Sequence, residues 1–125
     1  MSTSPAIDRF FEALNRQDYA AIHDLVQRPM LARSIELVEK QIGSILSDVH
    51  YRVESTVTDG SEIWVFCTLH GIHTGEFPSP FGTIAPTNRA VVVEEVCRFR
   101  LDGEKIDLVV ATTDLFGLLT QIAAE

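Results

Sequence analysis

The sequence predicts an α+β fold, with helices covering one side of an antiparallel sheet, and three observations carry that prediction. Apolar residues recur every three or four positions through the first part of the chain. From Tyr51 onward they recur every two, and Asp-Gly pairs at Asp59-Gly60 and Asp102-Gly103 break the second part into hairpins. At 125 residues, 46% hydrophobic and 22% charged, the chain has the size and make-up of one globular unit, expected to span residues 1–125 as a single domain.

Ser4 before Pro5 is a helix start: the hydroxyl caps, and proline's missing N–H costs nothing at the first helical position. Ile7, Phe10, Phe11 and Leu14 form that helix's apolar stripe. Asp18 caps a second short helix carrying Ile22, Leu25 and Val26, which Pro29 ends. A third follows directly, with Leu31, Ile35, Val38, Ile42, Ile45 and Val49 on one face. The strands are then expected over 51–58, 62–73, 89–101 and 105–113. Between the two hairpins lies TGEFPSPFGTIAPTN, whose three prolines are expected to forbid regular pairing. Asp114 leads into a last amphipathic turn or two through Leu115, Leu118, Leu119 and Ile122.

Eighteen acidic against ten basic residues give a formal charge of -8. Phosphate backbones and anionic bilayers are repelled by such a chain, so neither nucleic acid nor a membrane is an expected partner. The N-terminal MSTSPAIDRFFEAL lacks a basic region followed by a long apolar run, and a cytoplasmic location is expected. Cys67 and Cys97 fall in strand-like apolar runs, where reduced, buried thiols are expected.

Hairpin counting assigns faces. With Leu101 opposite Glu104, one face carries Val91, Val93, Glu95, Cys97 and Phe99 beside Ile106, Leu108, Val110, Thr112 and Asp114. Two acids, Glu95 and Asp114, then stand on an apolar surface, about 13 Å apart along the strands and so too far apart to act as a dyad. Around the first turn the same count puts Trp64, Phe66, Thr68 and His70 on the face where the first strand is apolar. Ile63, Val65, Cys67 and Leu69 on the other side are apolar too, which predicts cover on both faces, the second by a partner subunit. His70 and His73 are three apart and point to opposite faces of an extended strand, so no shared metal ion is expected there. No HExxH, CxxC or phosphate-binding glycine loop appears, and neither a metal nor a cofactor is expected.

The stretches LHGIHTGEF, FGTIAPTNRAVVVEEVCRFRLDGEKI and TTDLFGLLTQIA, in that order and spacing, resemble SnoaL-like polyketide cyclases of the NTF2-like superfamily over Val57 to Ala123. The resemblance implies an NTF2-like cone-shaped barrel: N-terminal helices closing a strongly curved antiparallel sheet around an apolar pocket, often as a homodimer. It also implies that Asp114 is the general acid/base of an aldol closure on a small hydrophobic carbonyl compound. His73 is the expected assisting group, with His70, Trp64, Phe66, Glu95 and Val110 as candidate substrate-binding residues. The family commonly carries a tryptophan or other large residue at the place of Val110. Two functions therefore stand: a cofactor-independent cyclase or isomerase, and a non-catalytic small-molecule-binding or dimerisation module in which Asp114 merely caps the last helix.

Overall fold

The structure, a computed structural model, describes residues 4–123. Three helices come first, α1 (Pro5–Arg16), α2 (Tyr19–Leu25) and α3 (Pro29–Ile45). Six strands follow, β1 (Leu46–Asp59), β2 (Glu62–His73), β3 (Phe77–Ser79), β4 (Gly82–Ile84), β5 (Ala90–Asp102) and β6 (Lys105–Thr113), and α4 (Leu115–Ile122) closes the chain. The main sheet has the order β1-β2-β5-β6, antiparallel throughout, and the helices lie on its concave side.

The helix starts form as the sequence predicts. Ser4 Oγ accepts from the Ile7 N–H, and Asp18 Oδ1 accepts from the Ala21 N–H at 3.1 Å. Helix α1 turns Ile7, Phe10, Phe11 and Leu14 inward, where the Phe10 and Phe11 rings meet Phe99 of β5 edge-on at 5.2 and 5.9 Å. Phe99 is fully buried, and this aromatic contact fixes α1 across the sheet.

Strand β1 begins at Leu46, five residues before the expected start, so Val49 is a strand residue and not the end of the helical stripe. Two bonds explain the early switch: the N–H groups of Thr74 and Gly75 donate to the Ile45 carbonyl, docking the end of α3 onto the end of β2. The proline-rich loop also departs from expectation, because β3 and β4 pair in a small ribbon through Phe77↔Ile84 and Ser79↔Gly82. Pro78 is tolerated because a two-stranded ribbon is all edge.

Three register steps curve the main sheet. In the β1–β2 ladder they fall between Ser47 and His50 and between Val53 and Ser55; in β5–β6 the step lies between Arg100 and Leu101. Each extra residue bends its strand and reverses which side chains face inward beyond it. The step at β6 is Asp107. Its carboxylate accepts from Arg28 Nε at 2.9 Å and Arg100 Nε at 3.0 Å, and these two guanidiniums, Arg28 first, hold it below the usual carboxylate range. Beside it, Ile106 forms an isolated parallel bridge with Val26, and the Gln27 N–H donates to the Ile106 carbonyl at 2.8 Å.

Strand β6 stops at Thr113, leaving the edge of β5 uncovered from Glu94 down. Helix α4 closes this gap: the Gln121 side-chain amide both accepts from the Val92 N–H and donates to its carbonyl, each at 2.8 Å, and the Asp114 N–H bonds to Glu94 O. A side chain thus replaces a missing strand.

The docking of α3 on β2 yields a testable contrast between two glycines. A Cβ on Gly75 would run into the Ser44 carbonyl, whereas one on Gly43 meets nothing within 4 Å. Gly75→Ala is expected to destabilise by about 1–3 kcal/mol, and Gly43→Ala to stabilise by up to about 1 kcal/mol, both read from urea midpoints. Equal effects would remove the docking argument.

Candidate active site

The concave face of the sheet is apolar where α1 crosses it and polar where α1 no longer reaches. Beyond the aromatic contact, a cavity of about 270 Å³ opens between α1, α3 and strands β1, β5 and β6. Phe10, Phe11 and Leu14 form one wall, Ile35 and Ile42 another, and Val109 and Ala111 a third. Ser34 and Val38 of α3 and Ala111 and Thr113 of β6 line it while remaining exposed, so the mouth lies between α3 and the end of β6.

Into this apolar chamber come three polar groups. Tyr51 projects from β1, and its hydroxyl donates to both carboxyl oxygens of Glu39 on α3, at 3.0 and 2.8 Å. Burial pushes the Glu39 carboxyl up to about 7, against the lowering effect of the Tyr51 hydroxyl and with some help from the charge of Glu95. Burial also raises Tyr51, aided by Glu39 and Glu95, so its phenol keeps its proton. From β5 comes Glu95, 8% exposed, whose Oε1 accepts from Thr113 Oγ1 at 2.7 Å and whose Oε2 faces the thiols of Cys97 at 3.3 Å and Cys67 at 3.9 Å.

Of the expected site residues, only Glu95 lines this cavity. Asp114 stands apart: Glu95 pairs with Thr113 where the hairpin count pairs it with Val110, a shift of three residues, two because the turn closes at Asp102↔Lys105 and one from the step at Asp107, and that odd residue exchanges the faces. Asp114 thereby leaves the inner face; exposed, it accepts from the Gly117 N–H at 2.9 Å as the N-cap of α4. The same step turns Val110 outward, 39% exposed and opposite Arg98. The step at β1 moves Tyr51 onto the face of Leu69, which leaves Trp64, Phe66 and His70 on the convex side. There Trp64 lies under the Arg98 guanidinium at 5.6 Å, and His70 stacks on His50 at 4.7 Å.

His73 is inward and fully buried but joins another structure. Its Nδ1 accepts from the Thr87 N–H and also meets the Thr87 hydroxyl at 2.9 Å, while its backbone bonds to Arg89 O and Asn88 N. His73 thus ties down both ends of the 74–89 loop. With Nδ1 as acceptor, the ring proton sits on Nε2, which has no partner.

Glu39 and Tyr51 are the residues sequence reasoning missed. The signal exists: Glu39 lies four after Ile35 and three before Ile42, an acid within the apolar stripe of α3.

The comparisons with known proteins follow the same architecture. A family model for SnoaL-like polyketide cyclases matches residues 6–122. No curated protein matches. Among solved structures, IdmH from Streptomyces antibioticus superposes with a TM-score of 0.82 at 18% identity, covering 95% of this chain and 96% of that one. TsrD from Streptomyces laurentii gives 0.76 at 18% identity, over 96% and 93%. A SnoaL-like polyketide cyclase from Agrobacterium tumefaciens gives 0.74 at 17% identity, over 93% and 94%. At these identities the likeness is one of fold: helices followed by a curved antiparallel sheet, the NTF2-like arrangement. Among the described residues, no helix is long and apolar enough to cross a membrane.

Glu39 makes stability depend on pH in a calculable direction. Its carboxyl holds its proton up to about 7 in the fold but only to 4.5 when unfolded. Stability is therefore highest below the lower value and falls as pH rises through this window, by up to a few kcal/mol. Glu39→Gln keeps the Tyr51 hydrogen bond and is expected to flatten that decline between pH 4.5 and 7 in urea titrations. An unchanged slope would mean Glu39 is charged in the fold.

Proposed function

The chain belongs to the SnoaL-like polyketide cyclase family, and we propose that it is an acid/base cyclase or isomerase for a small hydrophobic carbonyl compound, with Glu39 and Tyr51 as the reacting pair. The observation that carries this reading is the Tyr51–Glu39 hydrogen bond on the wall of a largely apolar cavity, with Glu39 tuned to about 7. A carboxyl with that value is both present as a base and strong as one near neutral pH. Desolvation supplies the tuning, so the same apolar walls that receive the substrate set the base.

Glu39 as carboxylate removes a proton from the carbon next to a substrate carbonyl. Tyr51, kept protonated by its surroundings, then turns its hydroxyl to the enolate oxygen and stabilises the charge that develops there. In a cyclisation the enolate carbon attacks a second carbonyl of the same molecule, and protonated Glu39 returns its proton to the new alkoxide. In an isomerisation the proton returns to a different carbon. Neither route consumes an oxidant or reductant. Glu95, its Oε1 bonded to Thr113, is the polar group that orients a substrate hydroxyl or enol on the opposite wall.

The enolisation step is measurable without the natural substrate, as exchange of α-protons for deuterium in a panel of small hydrophobic β-dicarbonyl compounds followed by NMR. Wild-type protein is expected to accelerate exchange. Glu39→Gln is expected to lose about 10²–10⁴-fold, and Tyr51→Phe a substantial part of the same factor. Asp114→Asn, which keeps the cap, is expected to retain the rate. Loss of rate in Asp114→Asn with retention in Glu39→Gln would transfer the role of base to Asp114, and no exchange with any compound would leave a binding module.

The convex face supports a homodimer. Trp64, Phe66 and Val110, 38%, 40% and 39% exposed, stand on it around Arg98, whose charge is neutralised by Glu62 at 2.7 Å. On a chain of net charge -8, an apolar face with its central charge paired suits a second copy of itself. Sedimentation at micromolar concentration is expected to give twice the 13.9 kDa chain mass, and Trp64→Glu to give a monomer. A wild-type monomer would remove the idea.

A further inference from the structure

Behind Glu95, on the sheet side of the cavity, lie two thiols that the acid/base reading does not use. Cys67 of β2 is paired across the ladder with Glu95 of β5, and Cys97 is two residues further along β5, on the same inward face. All three are buried. One ligand atom from each, two sulfurs and a carboxylate oxygen, lies within 4.8 Å of the others. Glu95 Oε2 is 3.3 Å from Cys97 Sγ and 3.9 Å from Cys67 Sγ.

These separations are those of a coordination polyhedron. With metal–sulfur bonds of about 2.3 Å and metal–oxygen bonds of about 2.1 Å, the edges of a tetrahedron are about 3.6 Å between sulfur and oxygen and about 3.8 Å between sulfurs. The sulfur–oxygen distances here bracket that edge, so the three ligand atoms stand at spacings that one ion can bridge. Diagonal neighbours on adjacent antiparallel strands stand about 7–8 Å apart at the backbone, beyond the usual span of a disulfide. The ladder therefore favours two thiolates around an ion over a bond between them.

We propose that Cys67, Glu95 and Cys97 form a site for a thiophilic divalent cation of the zinc class, with its fourth position open to the cavity. Glu95 and Cys97 line the cavity, which puts that position within reach of water or a ligand oxygen. Thr113, donating to the other oxygen of Glu95, orients the carboxylate from outside the ligand set. Two thiolates and a carboxylate exceed the charge of a divalent ion by one, and Glu39 across the cavity adds none while it holds its proton. A cysteine ligates a metal as its thiolate, so binding releases thiol protons and strengthens as pH rises.

Cobalt(II) serves as a coloured stand-in for zinc. Freshly reduced, chelator-free protein titrated with cobalt at pH 8 is expected to develop thiolate-to-cobalt charge-transfer absorption that saturates at one ion per chain and is bleached by one equivalent of zinc. Release of protons on binding should appear in weakly buffered solution. Cys67→Ser and Cys97→Ser, shown to be folded by circular dichroism, should each lose the absorption, and Glu95→Gln should weaken binding by at least about tenfold. Wild-type protein that develops no such band overturns the site whatever the variants do, as does a band that survives both cysteine substitutions. These readouts are independent of catalysis, so failure here leaves the roles of Glu39 and Tyr51 untouched, and failure of those roles leaves the metal site standing.

Discussion

The single extra residue in β6, Asp107, decides what stands inside the cone. Side chains on a strand alternate with strict parity, so inserting one residue exchanges inner and outer sets for everything beyond it. Val109, Ala111 and Thr113 reach the cavity because Asp107 is left over in the pairing, and Thr113 meets Glu95 for the same reason. Such a step needs something to hold it. Arg28 from the α2–α3 connection and Arg100 from the neighbouring strand both close on the Asp107 carboxylate, and the bridge from Val26 to Ile106 clamps the adjacent residue. The helical layer is thereby tied to the step that defines the cavity.

Inside, the chemistry comes from incomplete cover. Helix α1 satisfies the apolar demand of β5 at Phe99, but the sheet is longer than the helix is wide, and beyond it α3 supplies Glu39 where a packed core would have an aliphatic side chain. A carboxyl in that place is not neutralised by any cation among the described residues; it is offered one phenol and otherwise desolvated. Its raised affinity for a proton follows from the architecture and is paid for in stability near neutral pH. Tyr51 takes part in both worlds, its ring packed edge-on with Phe11 at 6.0 Å and its hydroxyl in the cavity.

Most of the order of elements was legible in the sequence because those boundaries have local causes, Ser4-Pro5, Asp18, Pro29 and the glycines of the two turns acting within a few residues, whereas the start of β1 and the β3–β4 ribbon depend on distant bonds. The faces were not. Hairpin counting assumes an unbroken ladder, and neither Glu54 nor Asp107 differs in type from an ordinary surface acid on a strand. Asp114 illustrates the consequence, being correctly read as a possible cap and wrongly placed among inward residues by a count off by an odd number, two residues at the turn and one at Asp107. Glu95 survived because it precedes the step and sits on the strand against which the others were counted. Gathering Cys67, Glu95 and Cys97 depends on the β2–β5 pairing, which joins residues nearly thirty apart with no spacing motif to announce it.

Helix α3 forms one wall of the cavity yet buries only Ala32 completely, and Val38 is exposed at the mouth. The helix is attached at its ends, to Arg28 at one and Gly75 at the other, and at mid-span by the His23–Glu36 contact and the Glu39–Tyr51 hydrogen bond. The pair proposed to move the proton is therefore also one of the fastenings at mid-span of the wall beside the entrance. A guest that recruits the Tyr51 hydroxyl would take one of the side-chain bonds that hold this wall, so what occupies the cavity and how its wall is held are linked through that bond.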